Sequence, residues 1–252
     1  MVSLRDLDLE AHLANPALKP KFVTPMFDLV APRYDDFTRL FSFGMDRGWK
    51  DELLRCALIA SPNPATVIDL ACGTGDLALE TARLAPAAAI TGVDASREML
   101  AHGRTRISRI QGLDETRIRL VQGDIGAIPA ADKSVDLIAA GYAFRNGPPI
   151  REALVEAARI LKPGGVLAAL DFYRPESPLW RGPFLGYLRA AGNLVGWWWH
   201  REPVVYGYIA SSIDAWLSVG EFSDALRGAG FQVVEARSKL FGGVAIHIAR
   251  LP

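Results

Sequence analysis

The chain has 252 residues, half of them hydrophobic and 22% charged, which supports a substantial core and argues against a disordered chain. Lys plus Arg equals Asp plus Glu at 28 each, so the overall charge offers no case for nucleic acid as a partner. Two cysteines, Cys56 and Cys72, make no disulfide framework, and four scattered histidines have no metal-ligand spacing; a cytoplasmic protein without a metal is expected.

The opening MVSLRDLDLEAHL carries acids where a secretory leader would carry a basic end and an apolar run. Residues 1–20, with Pro16 and Pro20, read as a polar arm. From 22 to 59 apolar residues fall at helical spacing, among them Phe27, Val30, Tyr34, Trp49, Leu53 and Leu54. Pro32 and Gly44 divide this stretch into two or three helices, and Ser61-Pro62-Asn63-Pro64 ends it. Residues 1–60 are therefore assigned to an arm and helical lid, and 61–252 to a main domain.

Strand and helix signals then alternate. Strands are predicted over 66–71, 89–94, 118–122, 135–140 and 165–172, and helices over 76–85, 97–109 and 150–161. The strands are apolar without alternation, as in a sheet covered on both faces. Alternating β and α predicts an α/β fold, a Rossmann-like, doubly wound, mostly parallel sheet. Leu161-Lys162-Pro163-Gly164-Gly165 reads as a helix stop and a turn. An aromatic-rich helical insertion over 176–218 follows the fifth strand. A helix over 219–229 and strands over 231–239 and 243–250 come last, the two strands pairing as an antiparallel hairpin at the sheet edge. No stretch has about 18 uncharged apolar residues, so no membrane-spanning helix is expected.

The chemistry starts at VIDLACGTGD, residues 67–76. Glycines 73 and 75 let bare backbone approach a ligand, and a helix N-terminus follows them. A pyrophosphate suits such a loop, but Asp69 and Asp76 would repel it. A ligand with a cationic end would favour both acids. S-adenosylmethionine has a sulfonium, an ammonium and no phosphate. Asp94 ends the second strand 19 residues after Gly75, where an acid accepts from ribose hydroxyls. Gly123-Asp124-Ile125 ends the third strand, where a carboxylate can take an adenine amino group, and Met99 can cover the adenine face. Taken singly, each has a plainer role: Asp124 as a turn residue, Met99 as core, and Ser96 as the better cap of the 97–109 helix. The order strand, DxxxGxG, strand, Asp, strand, Gly-Asp is what points to a methyl donor.

With those motifs, the chain resembles the class I S-adenosylmethionine methyltransferases, and within them the ubiquinone/menaquinone biosynthesis C-methyltransferases (the UbiE/MenG family). The resemblance runs from about 22 to 249, through FDLVAPRYD (27–35), SFGMDRGWK (42–50), AFRN (143–146), RILKPGG (159–165), YIASSI (208–213) and LFGGVAIH (240–247). The family usually has His at Asp46, Asn at Thr38, Gly-Leu at Ala143-Phe144 and Thr at Phe241. A bulky Phe144 beside the reaction centre is expected to reshape the acceptor pocket.

The resemblance implies methyl transfer to a polyprenyl quinol or phenolic precursor in quinone biosynthesis, leaving S-adenosylhomocysteine. The alternatives are O-, N- or C-methylation of a small natural product on the same scaffold, or a non-catalytic donor-binding protein. The candidate donor-binding set is Tyr34, Asp69, Gly73, Thr74, Gly75, Asp94, Ala95, Met99, Asp124, Ile125 and Gly141. The catalytic candidates are Arg145, which would orient a water or stabilise a phenolate, and Asn146. Tyr208 and His247 are weaker candidates, and His247 beside a Gly-Gly turn is read as structural. The expected partner is an aromatic acceptor, small or lipid-like, and not nucleic acid; a homodimer is left open. Trp197, Trp198 and Trp199 with His200 and Arg201 suit an apolar channel or weak peripheral contact with the inner face of the membrane.

Overall fold

The computed structural model describes residues 19–42, 44–110, 115–199 and 204–252. Among the described residues, three α-helices come first: α1 (Lys19–Val30), α2 (Tyr34–Phe41) and α3 (Asp46–Ala60). The main alternation is β1 (Thr66–Leu70), α4 (Asp76–Leu84), β2 (Ala89–Asp94), α5 (Arg97–Ile107), β3 (Ile118–Gln122), β4 (Val135–Gly141), α6 (Ile150–Ile160) and β5 (Leu161–Phe172). It closes with α7 (Pro178–Trp199), α8 (Val204–Asp214), α9 (Val219–Gly228), β6 (Gln232–Lys239) and β7 (Val244–Arg250).

These strands form one seven-stranded sheet in the order β3-β2-β1-β4-β5-β7-β6. The first five are parallel; β7 runs antiparallel to β5, and β6 lies outside it. The hairpin thus enters the sheet through its second strand. β6 is the outer edge and carries Glu235, Arg237 and Lys239, charges that discourage further strand pairing. One expectation needs correction. β5 begins at Leu161, paired with Val135, and the register slips before Leu137 meets Val166. The Pro163-Gly164-Gly165 stretch is an irregularity inside the strand, with Gly164 at φ +80°, and not a separate turn.

Both sheet faces are covered, which is why the strands do not alternate. Val67, Leu137 and Ala168 join Trp49, Leu53 and Leu77 of α3 and α4 on one face. Ile68, Ile138 and Leu167 join Leu154, Phe222 and Leu226 of α6 and α9 on the other. A third apolar cluster unites Val23 and Met26 of α1, Met99 of α5, and Phe184, Leu188 and Tyr208 of α7 and α8. At the other end of the strands, Asp136 accepts from the backbone N–H groups of Ala65 and Thr66 and pairs with Lys162, tying β1, β4 and β5 together.

The closing Gly-Gly turn has a steric purpose. A Cβ on Gly243 would lie 2.6 Å from the Phe184 ring, so only glycine lets α7 sit against the hairpin. His247 is fully buried beneath it. Its Nδ1 lies 3.2 Å from the Tyr173 hydroxyl, and its Nε2 lies 3.1 Å from Ser223 Oγ and 3.3 Å from the Val219 carbonyl. A carbonyl only accepts, so Nε2 carries the proton and Nδ1 accepts from Tyr173. His247 is a neutral staple between β7, the end of β5 and α9.

Among the described residues, no helix is long and apolar enough to cross a membrane, and no group of three or more His, Cys, Asp or Glu is arranged to hold a metal ion. α7 runs unbroken to Trp199, but the side chains of Trp197, Trp198 and Trp199, and the whole of His200 and Arg201, lie outside the described residues.

Burial lowers the His247 pKa to about 4. The unfolded chain therefore takes up this proton first as pH falls, and the staple's stability, complete above about 6.5, is lost progressively toward pH 4. Denaturant unfolding of the wild type against His247→Gln should show the wild type losing roughly 2 kcal/mol more between pH 7.5 and 5. Equal losses would contradict the staple.

Candidate functional site

Neighbouring β1 and β4 are followed by chain segments that lead in opposite directions across the sheet, which opens a crevice at their carboxyl ends. The residue after each strand is bent into left-handed backbone, Ala71 at φ 54° after β1 and Tyr142 at φ 60° after β4. Such strain in non-glycine residues clusters at functional sites. Gly73 and Gly75 also have positive φ, 53° and 85°, and Gly75 caps α4.

A cavity opens over this crevice. Its walls come from α1 and α2 (Val23, Thr24, Phe27, Tyr34), from the strand ends (Ala71, Gly73, Asp94, Ala95, Gly141), and from loops carrying Asp124, Ile125 and Asn146. Met99 closes one side from α5. A smaller pocket continues beneath the glycine loop, lined by Tyr34, Lys50, Asp69, Gly73, Thr74, Asp76, Gly141 and Tyr142 among others. The structure thus gathers the candidate residues around two spaces that share Tyr34, Gly73 and Gly141 as wall, except Gly75 and Arg145, which line neither.

Asp94 is held in place by backbone. Its Oδ2 accepts from Gly73 N–H and its Oδ1 from Ser96 N–H, both at 2.8 Å. Ser96 in turn caps α5 through Met99 N–H, and its hydroxyl donates to Asp28 of α1. Burial raises the Asp94 pKa even with these hydrogen bonds. Asp69 is buried deeper, and its Oδ2 accepts from Ala78 N–H at 2.8 Å. Burial pushes its pKa up to about 8. Among the described residues, neither carboxyl is in an ion pair. Asp124 is exposed at the cavity rim, where its Oδ1 accepts from Gly126 N–H, so it serves a turn while facing the space.

Asp76 departs from expectation. Its carboxylate is already matched by Lys50 at 2.9 Å and by Arg106. Those two cations, brought in by α3 and α5, hold its pKa low against its burial. It is therefore not an acid awaiting a cationic ligand; that part falls to Asp69 and Asp94. Phe144 is the second correction. It is 1% exposed and packs on Phe222 in the core, with ring centroids 5.7 Å apart, while Ala143 lines the cavity. The bulk of Phe144 fills the core and does not line the cavity.

Arg145 is buried behind the wall. Its guanidinium lies 3.7 Å from Asp171 and donates to Ser212 Oγ and to Asn146 Oδ1. Tyr208 also donates to Asn146 Oδ1, at 3.1 Å. With its oxygen taken by two donors, the Asn146 amide N–H₂ is the end left to face the cavity.

Sequence reasoning did not place Lys50 or Tyr142 among the candidates and took Asp46 only as a departure from the family pattern. Asp46 accepts from the Tyr142 hydroxyl at 2.6 Å and pairs with Lys50 at 2.9 Å. The Asp46-Lys50 spacing on one helix was a visible i,i+4 signal. Tyr142 follows a strand end directly, a second signal under the open-sheet rule.

Among the described residues, no Lys, Arg or His lies in the wall of the main cavity, while Asp94 and Asp124 face it. A phosphorylated cofactor would meet acids only, whereas a cationic nucleoside with free ribose hydroxyls fits both the acids and the apolar faces. The comparisons agree. The model of the ubiE/COQ5 methyltransferase family matches residues 16–250. The ubiquinone/menaquinone biosynthesis C-methyltransferase UbiE of Syntrophotalea carbinolica is 35% identical over 224 residues, covering 87% of this chain and 90% of that protein. The demethylmenaquinone methyltransferase of Porphyromonas gingivalis is 36% identical over 221 residues, covering 87% and 89%. Among solved structures, a SAM-dependent methyltransferase of Aquifex aeolicus matches with a TM-score of 0.61 at 18% identity, over 89% of this chain and 98% of that one. The [4+2]-cyclase SpnF matches with a TM-score of 0.61 at 21% identity, over 92% and 96%. Likenesses this remote establish the fold alone. The match along nearly the whole sequence settles the rest: the chain belongs to the ubiE/COQ5 methyltransferase family and is an S-adenosylmethionine-dependent methyltransferase.

Proposed function

We propose that the protein methylates a ring carbon of a quinol or phenolic precursor bearing a polyprenyl tail, in quinone biosynthesis. The observation that carries this reading is the Asn146 amide in the cavity wall, whose oxygen is taken by Arg145 and Tyr208, so that its N–H₂ group is the donor left for a ligand. The 35–36% identical relatives are named for quinone substrates, which supports the same acceptor class.

Bound S-adenosylmethionine supplies an electrophilic methyl group for in-line displacement. Asp94 would hold the ribose and Asp69 the cationic amino-acid end; Met99 and Ile125 would enclose the adenine, with Asp124 at its edge. Gly73, Thr74, Gly75, Ala95 and Gly141 supply backbone and close approach around it. Val23, Phe27 and Tyr34 would exclude water from the crevice. An electron-rich ring attacks best as its hydroxyl loses a proton to a water at the cavity mouth, and the ring carbon sheds its own proton to solvent afterwards to restore aromaticity; the Asn146 N–H₂ would stabilise the developing oxyanion. Arg145 acts through Asn146 as a positioning residue, with Asp171 fixing the guanidinium from behind. In this reading residues 1–60 act as arm and lid, 61–252 as the methyltransferase domain, and 176–218 as the substrate cover.

A lipid-tailed acceptor calls for contact with the cytoplasmic face of a membrane. Leu179, at the start of α7, is 90% exposed, and Phe241, in the hairpin turn, is 82% exposed. Trp180 packs edge-on against Phe241, at 5.4 Å between centroids. Exposed apolar groups of this kind favour the headgroup boundary.

Assays with demethylmenaquinol, a demethylated ubiquinol precursor and small phenols should give turnover with the tailed quinols; turnover confined to small phenols would reject the proposal. Asn146→Ala should lower kcat on the order of 10- to 100-fold with donor affinity nearly unchanged. An unchanged kcat would remove Asn146 from the mechanism. In liposome flotation the wild type should float weakly, and a Leu179→Glu, Phe241→Glu variant should not. A wild type that stays at the bottom ends the membrane reading.

A further inference from the structure

The connected pocket beneath the glycine loop contains an acid and a base. Asp69 supplies the buried carboxyl from β1, and Lys50 reaches the pocket from the second turn of α3. Lys50 is 13% exposed. Its Nζ lies 2.9 Å from Asp46 Oδ2 and 2.9 Å from Asp76 Oδ2, and 5.8 Å from the centre of the Tyr142 ring. An ammonium has three donors, and two carboxylates take two of them. Both partners are themselves fixed, Asp46 by the Tyr142 hydroxyl and Asp76 by Arg106. Lys50 is therefore a preset cation with a donor to spare, lining the same small space as Asp69.

We propose that Lys50 recognises the carboxylate of the donor's amino-acid group, and that the Asp46-Tyr142 pair positions it for that task. This rests on the donor site described above and deepens it. A zwitterionic α-amino acid matches an acid and a cation sharing one pocket; a nucleoside without that group uses neither. Burial opposes the charge of Lys50, but Asp76 and Asp46 more than offset it and raise its pKa, so it stays charged in the neutral range. Lys50 and Asp76 line both this pocket and the outer groove, whereas Arg106 lines the groove and not this pocket, which makes it the natural control.

The test compares three ligands by calorimetry: S-adenosylmethionine, its decarboxylated form, and 5′-methylthioadenosine, which lacks the amino-acid group. The wild type should prefer S-adenosylmethionine over the decarboxylated form by roughly tenfold or more, the range of a charge-assisted hydrogen bond. Lys50→Met should bring that ratio close to one and leave 5′-methylthioadenosine affinity unchanged. Arg106→Gln should keep the wild-type ratio. A wild type that binds both nucleosides without discriminating, or a Lys50→Met ratio equal to that of the wild type, overturns the inference and leaves the donor site standing. A wild type that binds none of the three overturns both. Should Lys50→Met not fold, the wild-type ratio decides alone, because it needs no variant.

Discussion

Two carboxyl groups that, among the described residues, form no ion pair set the terms for this molecule. Asp69 is buried near the end of β1, and Asp94 is half-buried at the end of the neighbouring parallel strand β2. Backbone N–H groups hold them: Ala78 for Asp69, and Gly73 and Ser96 for Asp94. Desolvation still outweighs those bonds, and both pKa values rise. The glycine loop, the N-terminus of α4 and the cap of α5 can all be understood as supports for these acids. A ligand carrying positive charge relieves the cost, and a phosphate would add to it.

The fold was largely legible because hydrophobic spacing and turn chemistry agreed along the sequence. Seven strands were expected and seven form, with the hairpin at the expected edge. What failed has identifiable causes. Pro163-Gly164-Gly165 looks like a turn in isolation, yet β4 supplies enough pairing on both sides to carry β5 through it as an irregularity. Phe144 sits beside the catalytic candidates in sequence, but a single-turn helix over 144–146 points it into the core. Asp76 flanks the glycine loop, but its partners come from helices 26 and 30 residues away, which no local pattern shows. Lys50 and Tyr142 were overlooked for the same reason, since their meaning lies in Asp46 bridging α3 to the end of β4.

The acceptor side follows a different logic from the donor side. In the proposed acceptor site the group offered to the ligand is neutral: Tyr208 and Arg145 converge on one oxygen of Asn146, which leaves the amide's donor end. Arg145 spends its charge on Asp171 behind the wall, so its influence reaches the cavity through geometry. His247 shows a third use of polarity. Its ring is fully bonded and neutral, and it serves packing between β7 and α9 with no part in the site.

The central claim is that Asp69 is an acid awaiting a cation, and proton counting tests it directly. With a pKa of about 8 in the free protein, Asp69 is mostly protonated at pH 7 and should ionise when a cationic donor binds. Calorimetry of S-adenosylmethionine binding at pH 7, in buffers of different ionisation enthalpy, should show release of roughly one proton per donor bound. Binding with no proton released, or with a proton taken up, would contradict the account.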